Sequence, residues 1–302
     1  MKILLGQAYS FHQIGQRDNQ EDARYPNADI APNEQRFFVV CDGVGGSNKG
    51  EVASNAVCES FGNSLSEFDF DEDFTNEDFS EALDVAYDTL DKIARKGTED
   101  MATTLAFAAF HAGGATLAHI GDSRIYQIRP SVGIVYRSDD HSLVNQMIHS
   151  GLISPEEAEH HPQRNVITRC MEPVAEDQTR CMATVFRTTD VKNGDYFLLC
   201  TDGVLHMMSD NVLVELVTSD QPDEHKISQM ANLCEDSTDN NTAYLIPVVE
   251  VYDSQSDNGD SIMSSDTRRM SPQISNIEEV ESVQKSNGES LLSRIFKKLT
   301  IL

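Results

Sequence analysis

Residues 1 to about 250 alternate short apolar runs with stretches of helical period, without a break in composition. In FFVVCDGVGG, from Phe37, and in DYFLLCTDG, from Asp195, an aromatic and aliphatic run ends in Cys and then an Asp-Gly pair. Such a run is too short for a core helix and reads as a buried strand closed by a turn. TTLAFAAF, ATLAHI, RIYQIR and IVYR, between Ala102 and Arg137, are separated by Gly-Gly, Gly-Asp and Pro-Ser turns and predict an antiparallel meander. Three stretches carry helical period instead. NEDFSEALDVAYDTLDKIARKG predicts an amphipathic helix capped by Asn76, with Phe79, Leu83, Ala86, Leu90 and Ile93 on its apolar face and Gly97 as its stop. A second helix follows Gly45 and Gly46 through EVASNAVCESFGNSL, and packs on the sheet. A third opens at SPEEAEHHP, where Ser154 caps, Pro155 takes the first turn and Glu157 completes a capping box. Strands clustered together with helices apart give an α+β class, a sandwich of β-sheets with helices outside.

Beyond residue 252 the pattern stops. Residues 253–289, rich in Ser, Asp and Asn, predict a disordered linker, and residues 290–302, SLLSRIFKKLTIL from Ser290, a short amphipathic helix. Leu291, Leu292, Ile295, Phe296, Leu299 and Leu302 share one face opposite Arg294, Lys297 and Lys298, a pattern suited to docking on a partner or a membrane surface. The expected organisation is one domain, 1–252, and a tail.

The 302 residues carry a formal charge of -27, which argues against a nucleic-acid or anionic-membrane surface for the domain. From Asp253 onward eight acids stand against six Lys or Arg, so about -2 of that charge belongs to the tail. The six cysteines form no C-x-x-C pair, and Cys41 and Cys200 lie inside predicted strands. They read as reduced thiols, which implies a cytoplasmic protein, and no leader segment or membrane span is expected.

The charge is informative where it ends strands. Asp42 and Asp202 close the two runs above, Asp122 sits on the Gly-Asp turn of AHIGDSRIY, and Asp239 enters the last strand in STDNNTAYLIPVVEV. GQRDNQEDARY adds Arg17, Glu21 and Asp22. Any one Asp-Gly pair is ordinary turn chemistry. Six acids at strand ends are not, because carboxylates gathered in one place cannot all stay ionised without a cation. Hard oxygen ligands without His or Cys nearby suit magnesium or manganese rather than structural zinc. Glycines after Asp42 let the backbone approach a cation or phosphate. Two such cations activate water for displacement at phosphorus, and a guanidinium such as Arg17 binds two phosphate oxygens at once. Metal-assisted phosphate hydrolysis is the chemistry this set favours.

The ordered pieces RDNQED, CDGVGG, GDSR, DH, CTDG and DNNT, over about residues 1 to 250, resemble the metal-dependent protein phosphatases of type 2C, bacterial type. The resemblance implies two antiparallel sheets flanked by helices on both sides, with the metal site at one end, and hydrolysis of phosphoserine and phosphothreonine in proteins. It implies that Asp42 bridges two Mn or Mg ions, with the Gly43 carbonyl on one of them, and that Asp202 and Asp239 complete one metal. Glu21 would hold waters of the other, Asp22 would orient water, Arg17 would bind the substrate phosphate, and Asp122 would share a third, weaker ion with Asp202. The partners implied are phosphoproteins and an opposing Ser/Thr kinase, for a monomeric enzyme. Two readings from other classes stay open: a catalytically silent member that binds metal or phosphoprotein, and a hydrolase of small phosphoesters.

The chain departs from the family pattern at Val44, where animal relatives often carry His, and at Ala102, where Gly is common. Leaving-group protonation would then fall to water. His141, just before a helix, is expected to serve structure rather than chemistry. His160, His161 and Arg164 lie where the family has a mobile flap and are expected to face solvent. EFDFDEDFTNED lacks the glycine spacing of a calcium loop and reads as a solvated loop.

Overall fold

A computed structural model describes residues 1–44, 49–97, 100–174 and 179–252. The glycines at 45 and 46, the linker 253–289 and the amphipathic segment 290–302 lie outside the described residues.

In chain order the elements are β1 (Lys2–Leu5), β2 (Tyr9–Gln13), β3 (Asp22–Tyr25), β4 (Phe37–Val44), α1 (Gly50–Leu65), α2 (Asn76–Ala94), β5 (Ala102–Thr103), β6 (Leu105–His111), β7 (Gly114–Ile120), β8 (Arg124–Arg129) and β9 (Gly133–Arg137). They continue with α3 (Leu143–His149), α4 (Pro155–Glu159), β10 (Thr184–Thr188), β11 (Tyr196–Cys200), α5 (Asp202–Leu205), α6 (Asp210–Val217), α7 (Asp223–Cys234) and β12 (Asn241–Tyr252). One antiparallel sheet runs β1-β12-β11-β8-β9 with β2 also on β12, and the other runs β10-β7-β6-β4-β3 with β5 also on β4. The class is α+β, a two-sheet sandwich covered by helices on both outer faces.

Strand alternation builds the layers. Along β4, Phe37, Val39 and Cys41 turn outward to α1 and α2, where Val57, Phe61, Phe79 and Leu90 meet them. Phe38 and Val40 turn inward, between the sheets, to meet Phe197, Leu199, Tyr244 and Ile246. Leu198, Cys200, Ala243 and Leu245 face a third apolar layer under α6 and α7, with Leu213, Ile227 and Met230. By the same parity Asp22, Asp42, Thr201 and Thr242 belong to the inter-sheet face at its open end. The apolar filling therefore gives way to carboxylates and hydroxyls at one edge of the sandwich.

The predicted meander is corrected here. β6 and β7 form one hairpin and β8 and β9 another, but the two hairpins lie in different sheets. The Gly121-Asp122 turn crosses the sandwich, because Ile120 belongs to the layer under α1 and α2 while Ile125 faces between the sheets. The cap of α2 is also one residue earlier than predicted. Thr75 accepts from Asp78 N–H at 3.2 Å and the Asp78 carboxylate accepts from Thr75 N–H at 2.7 Å, a reciprocal box that Asn76 has no acid spaced to make. Ser154, Pro155 and Glu157 open α4 as predicted. In the acidic loop the acids are solvated, but Phe68, Phe70 and Phe74 anchor it to the core.

Candidate active site

β4 does not stop at Asp42. It continues through Gly43 to Val44, because β3 pairs Asp22 against Asp42 and β5 pairs Thr103 against Gly43. The Asp42 backbone is held from three directions: its N–H donates to Thr104 Oγ1 at 2.9 Å, and its carbonyl accepts from Thr104 N–H at 2.8 Å and Thr103 Oγ1 at 2.9 Å. A Cβ on Gly43 would lie 2.4 Å from the carbonyl carbon of Gly50 and 2.6 Å from the Glu21 carbonyl oxygen. The glycine first makes room for the start of α1, a constraint additional to the one argued from a cation.

Asn240 joins the other strand ends to this one. Its Nδ2 donates to the carbonyls of Ile14 at 2.8 Å and Asn19 at 2.9 Å, while its Oδ1 accepts from Glu21 N–H at 2.7 Å. The loop carrying Arg17, Glu21 and Asp22 is thereby fastened to the entry of β12. Gly203 lets α5 press onto the same point, for a Cβ there would lie 2.0 Å from the Asn240 carbonyl oxygen. Arg17 reaches back to Asp239, with Nη2 donating to Oδ2 at 2.6 Å, and Asp239 Oδ1 accepts from Asn240 N–H at 2.9 Å. Asp22 is 2% exposed, and its Oδ2 accepts from Thr201 at 2.9 Å and Thr242 at 2.7 Å.

The acids press on one another. Burial, then the charges of Asp22, Asp202, Asp122 and Asp239, pushes the Asp42 carboxyl well above the ordinary carboxylate range. Burial and Asp202 do the same to Asp122. Burial raises Asp22, Asp202 and Glu21, with Arg17 opposing the rise at Glu21. Two buried carboxylate oxygens, Asp22 Oδ1 and Asp202 Oδ1, have no donor among the described residues. Converging buried carboxylates with unsatisfied oxygens are a donor set that divalent cations fit, and a poor arrangement without them.

The structure thus brings all six predicted acids and Arg17 to one edge of the sandwich. It also brings a histidine. His206, at the end of α5, places Nε2 3.7 Å from Asp202 Oδ2, so the expectation that no His lies near the acids is corrected. Helical spacing carried the signal, four residues after Asp202. Sequence reasoning also missed the hydroxyls and the amide that hold the acids: Thr103, Thr104, Thr201, Thr242 and Asn240.

The two departures from the family pattern prove to be neighbours. Val44 pairs with Ala102 across β4 and β5, and both pack on Ile167 and Cys170. His141 is structural: its Nδ1 accepts from Gly121 N–H at 3.1 Å, so its proton sits on Nε2, which donates to Thr184 Oγ1 at 2.9 Å. Ser142, not His141, caps α3. His160 and Arg164 are exposed and His161 is half-buried. The six cysteines are all unbonded. Among the described residues no helix is long and apolar enough to cross a membrane.

With this geometry in place, comparison with known proteins is informative. The family model for protein phosphatase 2C matches residues 12–241. The protein phosphatase PhpP of Streptococcus pneumoniae is 33% identical over 246 residues, covering 78% of this chain and 95% of its own. The serine/threonine phosphatase PstP/Ppp of Mycobacterium tuberculosis superposes with a TM-score of 0.69 at 26% identity, over 82% of this chain and 100% of that one. The catalytic domain of PstP in complex with two manganese ions superposes with a TM-score of 0.65, also at 26% identity, over 82% and 100%. The chain belongs to the protein phosphatase 2C family.

Proposed function

We propose that the chain hydrolyses phosphoserine and phosphothreonine in proteins with two manganese or magnesium ions. The observation that carries this reading is the convergence of Asp42, Asp122, Asp202, Asp239, Glu21 and Asp22 with unsatisfied carboxylate oxygens at the sandwich edge. The family membership and the two manganese ions of the PstP structure support it.

Two divalent cations, when bound, supply Lewis-acid activation of water for in-line displacement at phosphorus. This chain's residues do the rest. Asp42, with the Gly43 carbonyl beside it, would contribute to both ions; Asp202 and Asp239 would hold one, and Glu21 would hold the waters of the other. Asp22, clamped by Thr201 and Thr242, orients water through its free Oδ1. Asp122 would share a third, weaker ion with Asp202. Arg17 has an exposed side chain and binds the substrate phosphate, exchanging its partner Asp239 for two phosphate oxygens.

A silent binding member is disfavoured because no acid of the set is missing. Hydrolysis of small phosphoesters is separated by assay: turnover of a phosphothreonine peptide, with manganese, should far exceed that of an aryl phosphate and vanish on chelation. Equal turnover of both would make the chain a general phosphoesterase. The reading places the enzyme in the cytoplasm, which the unbonded cysteines support, and makes it a monomer opposing a Ser/Thr kinase. Residues 1–252 are the catalytic domain, 253–289 a linker and 290–302 a docking helix, on their sequence pattern.

A further inference from the structure

His206 is the residue at this edge that the family motifs leave unexplained. It ends α5, and its main-chain N–H donates to the Asp202 carbonyl at 2.9 Å, so one helical turn separates two side chains on one face. The same spacing lets a helix offer two ligands to one metal in the His-Glu-x-x-His pattern. Ligand atoms of Asp202, His206 and Asp239 all lie within 4.8 Å of one another, with 3.7 Å between His206 Nε2 and Asp202 Oδ2. Around an octahedral cation with bonds of about 2.1 Å, adjacent ligands stand about 3 Å apart and opposite ones about 4.2 Å. The 3.7 Å between His206 Nε2 and Asp202 Oδ2 falls between those two separations, and the imidazole is 33% exposed.

Two observations point inward from this trio. Asp202 Oδ1 is buried with no donor among the described residues. Asp239 is aimed by Asn240 N–H, which donates to its Oδ1 at 2.9 Å, so its carboxylate is oriented before any ion arrives. A partly exposed pair at 3.7 Å contributes little as a salt bridge, which leaves His206 without an adequate structural reason to sit there.

We propose that His206 is a nitrogen ligand, with Asp202 and Asp239, to the cation those two acids hold, and that it biases this site toward manganese over magnesium. The inference rests on the two-cation reading above. Magnesium requires near-ideal octahedral geometry and sheds water reluctantly, whereas manganese, a first-row transition ion, tolerates a nitrogen ligand better than magnesium does. A site of oxygens alone discriminates less.

Pulsed electron paramagnetic resonance on the full chain loaded with manganese reads a coordinated nitrogen directly, without reference to activity. Wild-type protein is expected to show imidazole nitrogen modulation of the manganese echo, and His206→Asn to lose it. Calorimetric titration of the same two proteins should show manganese affinity falling about tenfold in the variant, with magnesium affinity within about threefold. A far-ultraviolet melt of the variant verifies the fold. Manganese bound by the wild type without coordinated nitrogen, or modulation surviving in His206→Asn, overturns the assignment of His206 and leaves the two-cation reading standing. A wild-type chain that binds no manganese overturns both.

Discussion

Asp42 and Arg17 act on different objects, and their substitutions should separate accordingly. On the proposed reading, Asp42→Asn puts a neutral amide where a charged ligand would bridge two dications, so turnover should fall by orders of magnitude at any substrate concentration. On the same reading, Arg17→Ala would remove a contact to the bound substrate that strengthens as charge shifts toward the transition state. It should raise KM and lower kcat moderately, with manganese affinity nearly unchanged. Steady-state kinetics with manganese titrated distinguishes the two, and a near-normal kcat for Asp42→Asn at saturating metal would sink the two-metal reading. Asp122→Ala should lose phosphopeptide turnover yet keep both tightly bound ions. Loss of tight manganese binding in a calorimetric titration would show Asp122 to be one of the main ligands. These acids were legible because each follows a strand signal or sits on a turn, where a carboxylate is conspicuous. His206 was not: its relation to Asp202 depends on a four-residue helix that the turn-like sequence TDGVLH conceals. Asn240 gives no such signal within DNNT, since an amide that fastens three backbone groups looks like any other loop polar residue.

At the scale of elements, the turn between β7 and β8 is where local sequence pattern and tertiary fold part. Gly-Asp punctuation identifies a turn but not which sheet the next strand joins, because that is decided by which face of each strand is apolar against distant elements. The crossing turn is pinned by His141, whose backbone N–H also donates to the Gly121 carbonyl at 2.9 Å. The ring stacks on His119 at 4.5 Å between centroids. Burial, with the charges of His119 and Arg169, pushes His141 down to about 3. Its folded value lies below the unfolded value of about 6.5, so its contribution is fully present above pH 6.5 and is lost as pH falls toward 3. One such group removes at most about 2 kcal/mol between pH 7 and pH 5. His141→Ala should destabilise at pH 7 by about 2 kcal/mol, through the Gly121 N–H left without its acceptor. It should also flatten the loss of stability from pH 7 to pH 5. Urea midpoints at the two pH values check both, and an unchanged slope would show that His141 titrates normally. The helices were easier to read than the turn, since Ser154 and Glu157 or the period of α2 act within one element.

For the whole molecule, the formal charge of -27 and the carboxylates at the sandwich edge make stability and metal binding inseparable. The layered architecture was legible from alternation, because Phe37 to Cys41 could only lie between two apolar layers. The way the open end of that alternation becomes a reactive edge required three-dimensional convergence of five strand ends and a helix. Its energetic consequence can be measured. Without a cation, burial and mutual repulsion hold Asp42, Asp122 and Asp22 above their unfolded values. Groups raised in the fold contribute stability that is fully present below the unfolded carboxylate range, about pH 4, and is lost as pH rises through the folded values. A bound dication favours the ionised forms and removes that loss. The gain in Tm from manganese over chelated protein should therefore grow steadily from pH 5.5 to pH 8, and the buried histidines cancel in the difference because they contact no ion. Asp42→Asn relieves repulsion without supplying a charged ligand. In chelator it should melt higher than wild type at pH 8, with a smaller advantage at pH 5.5, while its gain from manganese shrinks at both. Thermal melts of the two proteins, with manganese and with chelator, give all eight numbers. A manganese gain in the wild type that stays flat across this range would mean that the acids are not held against ionisation by one another, and that the edge needs no cation to close.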